Sequence, residues 1–270
     1  MSWLATQQDA IVAGIVSSWI VLSLQVAVGV SVRLLYDAFR GQQSLRRILR
    51  FKEPRRIYVI SGNIEELAKE SYEGMVLLAA PDAEAAVNIK ATLQTLYPKC
   101  DVIHTFCSSV SDEMFQHDLV CVGGPVNNSA SRLLLSEMAQ ADADVPKFES
   151  HEIVAGENRY SCSREGPENR VTADYGFLLV DDNPFNEASR CVIVAGCDTN
   201  GVLAAASFLG LGLPRRRLFK SLRRKFALRL WTFTGGPIKR LCLITRTRAV
   251  GTLGGEAAPV DLQIVRRRSR

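Results

Sequence analysis

The sequence predicts an α/β chain. A doubly wound, largely parallel sheet over residues 56–212 is preceded by one transmembrane helix and followed by a basic amphipathic segment and closing strands. Three observations predict it. Short apolar runs alternate with helical patterns through the middle of the chain, Ala10 to Val32 is a stretch of 23 residues without a charge, and charge is segregated by region. Hydrophobic residues make up 47% of the 270, charged residues 23%, and Gly and Pro only 19 and 10. This composition excludes a collagenous, low-complexity or mainly disordered chain.

The elements follow in order. Residues 57–63, IYVISGN, form a β-branched strand ending in a Gly turn, and IEELAKESYEG after it has helical composition. MVLLAA (75–80) is a short apolar run that suits a strand or a helix. Pro81 and Asp82 open a helix that ends before Pro98, with Ala86, Ile89, Leu93 and Leu96 on one face at helical spacing. A strand begins at Asp101, and SSVSDEMF reads as a short helix with Ser111 as N-cap. Leu119 to Gly124 is a buried-type strand ending in two glycines, and SASRLLLSEMAQ is helical. Residues 141–173 are polar and poorly patterned. Strands follow from Tyr175 and over 190–196, then a small-residue helix from Asn200. Unbroken apolar strands alternating with helices indicate a sheet covered on both faces, a Rossmann-like arrangement. No internal repeat is evident.

Four segments result: 1–34 with the candidate membrane span at 10–32, a basic linker at 35–55, an acidic body at 56–212, and a basic segment with closing strands at 213–270. As a helix, the uncharged 23-mer rises about 34 Å, enough for a hydrocarbon core of roughly 30 Å. Residues 1–9 lack Lys and Arg, whereas 33–56 hold eight against two acids. The positive-inside rule then predicts a single-pass cell-membrane protein with residues 33–270 in the cytoplasm. Residues 57–212 hold nine Lys and Arg against 23 Asp and Glu, and 213–248 hold twelve Lys and Arg and no acid. The net charge of +5 conceals this asymmetry, which points to a partner or a membrane surface. None of the seven cysteines forms a CxxC pair, and the apolar settings of Cys107, Cys121 and Cys191 suit reduced core thiols.

Two Gly loops at strand ends are the candidate ligand-binding elements, because ligands of open α/β sheets bind outside the carboxyl ends of the strands. The first holds Gly123, Gly124, Asn127, Asn128 and Ser129, and the second Gly196, Asp198, Thr199, Asn200 and Gly201. Gly pairs let backbone N–H groups approach an anion at a helix start. The alternative is that both loops are tight connections with local helix caps. Neither carries a dinucleotide fingerprint or a P-loop. The cofactor is unknown, with a nucleotide as one class the loops admit.

The order GGPVNN, DYGFLLVDDNPFN and VIVAGCDTNGVLAAASFL resembles a Rossmann-like module of archaeal surface-layer-type domains and related bacterial regulator proteins. The resemblance covers roughly 119–210 and rests on Gly123, Gly124, Pro125, Asn127, Tyr175, Gly176, Asn183, Pro184, Phe185, Gly196, Gly201, Ala204 and Ala205. Val202 stands where that pattern commonly has Thr. The resemblance implies a binding or sensory role more than an enzymatic one.

No catalytic residue is identified. No HExxH or Cys/His ligand spacing marks a zinc site. Cys197 sits at a strand–helix turn where a helix N-terminus can lower a thiol pKa, but Leu203 stands where a phosphatase-like spacing needs Arg. The 214–234 segment places Leu and Phe at helical spacing among Arg and Lys. Arg215, Arg216, Arg217, Phe219, Arg223, Arg224, Lys225 and Trp231 are the candidate contacts to an anionic lipid surface. Docking on a protein partner is the alternative, and no nucleic-acid motif accompanies the patch. The sequence therefore predicts a membrane-anchored cytoplasmic ligand-binding, sensory or scaffold module. A nucleotide- or sugar-processing enzyme using the same crevice is one alternative, and a protein-interaction module without a small ligand is another.

Overall fold

The computed structural model describes residues 45–51, 54–63, 78–149, 151–167, 170–209, 238–250, 253–254 and 257–266, together with Ser23. Its centre is a nine-stranded sheet. β1 (Arg56–Ser61) lies between β2 (Asp101–Phe106) and β3 (Asp118–Val122) and pairs parallel with both. β3 pairs parallel with β9 (Asn186–Gly196). Beyond β9 come β8 (Arg170–Asn183), β10 (Ile238–Val250) and β12 (Ala258–Arg266), each antiparallel to its neighbour. β7 (Ser163–Glu165) flanks β8, and β11 (Leu253–Gly254) folds back on β10.

The sheet is thus mixed, which corrects the largely parallel expectation. The cause is local. Asn183 pairs with Asn186 across Pro184 and Phe185, and so short a link permits only antiparallel pairing, since parallel strands need a crossover of a dozen or more residues. Asp181 and Asp182 sit inside this hairpin opposite Cys191 and Arg190. They are accommodated by charge: Arg240 pairs with both Asp181 and Asp142, and Arg190 pairs with Asp182.

Alternation assigns the two faces. The residues Tyr58, Ile60, Leu119, Cys121, Phe177, Leu179, Cys191 and Ile193 form one cluster with Leu134, Leu135 and Met138 of α2 (Ser129–Ala141). Ile153 and Ala155 join it from a small meander, β4 (Lys147–Glu149), β5 (Glu152–Ala155) and β6 (Asn158–Tyr160). The other face carries α1 (Ala80–Leu96) and α3 (Thr199–Ala206), which pack on each other. α1 buries Ala85, Ala86, Ile89, Leu93 and Leu96, as its spacing predicts. Every residue of β3 is buried, as a strand covered on both faces requires.

Three sequence expectations are revised further. The polar 141–173 region contains β4 to β7, strands too short and too charged for an alternation signal. SSVSDEMF is not one helix; it spans two single 3₁₀ turns, Cys107–Ser109 and Met114–Gln116. Among the described residues no helix is long and apolar enough to cross a membrane: α1 is 17 residues long and carries Asp82, Glu84 and Lys90. The span at 10–32 (Ser23 apart) and the basic helix at 214–234 lie outside the described residues. The transmembrane, single-pass cell-membrane and cytoplasmic assignments are set aside on this finding.

Candidate functional site

From β1 the chain moves to β2 on one side and then crosses back to β3 on the other. The direction reverses between β1 and β3, and the carboxyl ends of strands at such a point are where open α/β sheets hold ligands. The β9 end lies beside them. Both predicted Gly loops therefore come together, with the first turn of α1 alongside: Gly123 approaches Asp82, and Gly124 approaches the Gly196 carbonyl.

The first loop is fastened to the strand ends. Gly123 takes a φ of +106°, which favours glycine, and its N–H donates to Val194 O at 2.9 Å. Gly62 N–H donates to Val122 O at 3.0 Å, and Asn63 N–H to Asn127 O at 2.8 Å. Asn128 is wholly buried. Its Nδ2 donates to Ile60 O at 3.0 Å and to Val122 O at 2.9 Å, across the two strand ends. Its Oδ1 accepts from the N–H groups of Ala130 and Ser131, capping α2. The amide is thus fully used within the protein. Ser129 opens α2, and half-buried Asn127 precedes the cap.

The second loop is fastened in a different way. Asp174 on β8 accepts N–H bonds from Tyr175 at 2.7 Å, from Asp198 at 3.1 Å, and from Gly201. Asp198 in turn accepts from Thr199 N–H at 2.7 Å, capping α3, and its other oxygen pairs with Arg164 at 3.0 Å. The N–H groups that the sequence offers to a phosphate are satisfied by the protein's own carboxylates. Gly201 and Gly176 let α3 lie directly on β8. A Cβ on Gly201 would stand 2.7 Å from the Tyr175 carbonyl carbon, and one on Gly176 would stand 2.6 Å from that of Gly201.

Asp82, Asp174 and Asp198 thus form an acidic cluster. Burial pushes Asp174 up to about 6, with Asp198 adding to it, while the three N–H bonds oppose the rise. Asp82 is 5% exposed, and its Oδ1 has no hydrogen-bond partner among the described residues. Burial, then the charges of Asp198 and Asp174, push its carboxyl up to about 7. Sequence reasoning placed Asp82 only as a helix opener and missed Asp174, because one acid inside an apolar strand carries no pattern of its own.

The Asp82 shift has a sign that can be measured. The unfolded chain sheds this proton near 3.8 and the folded chain near 7, so stability falls as the pH rises through that window and the deficit is complete above it. At 1.36 kcal/mol per pKa unit the deficit has an upper bound of about 4 kcal/mol. Asp82→Asn is therefore expected to melt several degrees above wild type at about pH 8 and level with it at about pH 4. A difference independent of pH in a thermal melt series would contradict the burial.

Two other side-chain groups are closed off. Burial, then Asp174, push the Cys197 thiol up to about 12, and it donates to Tyr160 O at 3.2 Å, which removes it as a nucleophile. Ser61 Oγ lies 2.8 Å from His104 Nε2 across the β1–β2 pair, and burial followed by Lys90 lowers the His104 pKa. This is the arrangement nearest to a nucleophile and its base, but Ser61 is wholly buried. Among the described residues no group of three or more His, Cys, Asp or Glu is placed to hold a metal ion. No family model and no curated protein matches the chain.

Proposed function

We propose that the α/β body is a binding module that takes a small ligand at the strand-end crevice and serves a sensory or scaffold role without chemistry of its own. One observation carries this reading. Asp82, a buried carboxyl with an unpartnered oxygen, stands at the topological switch point, and buried polar atoms are otherwise satisfied in folded proteins. The loops around it are rigidly tied, which suits a preformed site. Cys197, the candidate nucleophile of the second loop, is held by its bond to Tyr160 O with its thiol pushed up to about 12.

A thermal-shift screen of the full chain against nucleotides, sugars, divalent ions and amines tests the proposal. A ligand specific for the native state adds RT ln(1 + [L]/Kd), about 2.7 kcal/mol at a hundredfold excess, or several degrees. The expected result is a shift that Asn127→Ala diminishes without lowering the melting point of the free protein. No shift across the panel would contradict it and favour a protein-interaction module.

A further inference from the structure

We infer that the strand-end crevice takes a cationic group, a protonated amine or guanidinium of a small organic ligand, against Asp82 and the first turn of α3. The inference rests on the binding role proposed above and names its ligand chemistry.

Two buried oxygens in this part of the molecule lack a donor: Asp82 Oδ1 in the first turn of α1 and Asn200 Oδ1 in the first turn of α3. The two helices pack against each other. Asn200 Oδ1 is an acceptor, and Asp82 Oδ1 becomes one when the carboxyl ionises, so a ligand that displaces the Asp82 proton must bring a donor. The charges around them fix its sign. Asp174 of β8 and Asp198 of the β9–α3 turn both act on Asp82. Arg164 of β7 is engaged with Asp198.

The competing ligand classes fit less well. An anion would meet three carboxylates, and the N–H groups of Asp198, Thr199 and Gly201 that it would use are held by Asp174 and Asp198. A metal ion needs a tight shell of ligands, and the carboxylates do not converge into one among the described residues. An ammonium brings three donors and a guanidinium five, and each is satisfied by acceptors spread around it. The protein makes the same contact internally, where the Arg164 guanidinium meets Asp198 at 3.0 Å.

Without a ligand, the Asp82 carboxyl keeps its proton near neutral pH. A cation replaces that proton, so binding releases it to the buffer and strengthens as the pH rises from about 5.5 to 8.

Calorimetric titration of the full chain with agmatine and with putrescine tests this, with 1,4-butanediol as the uncharged control and inorganic phosphate as the anion. At least one amine is expected to bind, the diol and phosphate are not, and the heat should vary with the ionisation enthalpy of the buffer. Asp82→Asn should weaken amine binding at least tenfold and remove the buffer dependence, with its fold confirmed by circular dichroism. Equal amine binding by Asp82→Asn would overturn the assignment. Binding of only an anionic or neutral ligand, sensitive to Asn127→Ala, would overturn the cationic class and leave the binding role standing. No binding by any of these compounds would overturn the cationic class, and the binding role would fall only with the wider thermal-shift panel.

Discussion

Gly201→Ala is expected to cost more than about 4 kcal/mol and to leave little folded protein. Helix propensity alone argues the opposite, because Gly201 lies within α3 and alanine is the better helix former by about 1 kcal/mol. Packing decides the sign. The new methyl would overlap the Tyr175 carbonyl oxygen and stand 2.7 Å from its carbon. Both sides of that contact are backbone, so no rotamer change relieves it. Relief requires lifting α3 from β8, which also breaks the bonds from Asp174 to the N–H groups of Gly201 and Asp198. Gly124→Ala is the control. Its Cβ would meet the Gly196 carbonyl at 3.5 Å and Phe148 at 3.6 Å, ordinary contacts, and a loss within about 1 kcal/mol is expected. Urea denaturation of the two variants checks the pair, and similar midpoints would refute the close approach.

Asn128→Ala is expected to cost about 3–5 kcal/mol, because one residue performs two tasks. It caps α2, worth about 1–2 kcal/mol. It also ties the ends of β1 and β3 through Ile60 O and Val122 O, and each buried hydrogen bond lost costs roughly 0.5–1.5 kcal/mol, although Val122 O keeps its bond from Gly62 N–H. Asn128→Asp separates the tasks. Asp caps a helix about as well as Asn, so a role limited to capping predicts little change. The bridge predicts a loss at least as large as that of alanine, since a carboxylate cannot donate to two carbonyls and would itself be buried. Chemical denaturation of both variants distinguishes the two.

The same residues mark how far the sequence could be read. The alternation of strands and helices, the apolar face of α1 and the location of both Gly loops at strand ends were legible, because each has a local pattern. The mixed sheet was not. It depends on the polar Asp181, Asp182 and Asn183 continuing β8, and the arginines that make this tolerable, Arg190 and Arg240, lie 8 and 59 residues away from their partners. The loops were placed correctly, but their role turned on partners distant in sequence. Asn128 reaches back 68 residues to Ile60, and Asp174 holds a helix that begins 25 residues later. Asp82 was visible only as a helix start, because its burial is a property of the assembled crevice.

The central claim is that Asp82 is a buried carboxyl whose Oδ1 lacks a partner among the described residues, at the proposed ligand site. A carbon-13 NMR titration of its carboxyl in the full chain, assigned with Asp82→Asn, tests this most directly. A midpoint near 7 in the free protein, moving down when a bound amine supplies the missing donor, is the predicted result. A midpoint near the ordinary value of about 4, unmoved by any ligand, would mean that Asp82 is solvated or already paired, and would contradict the site.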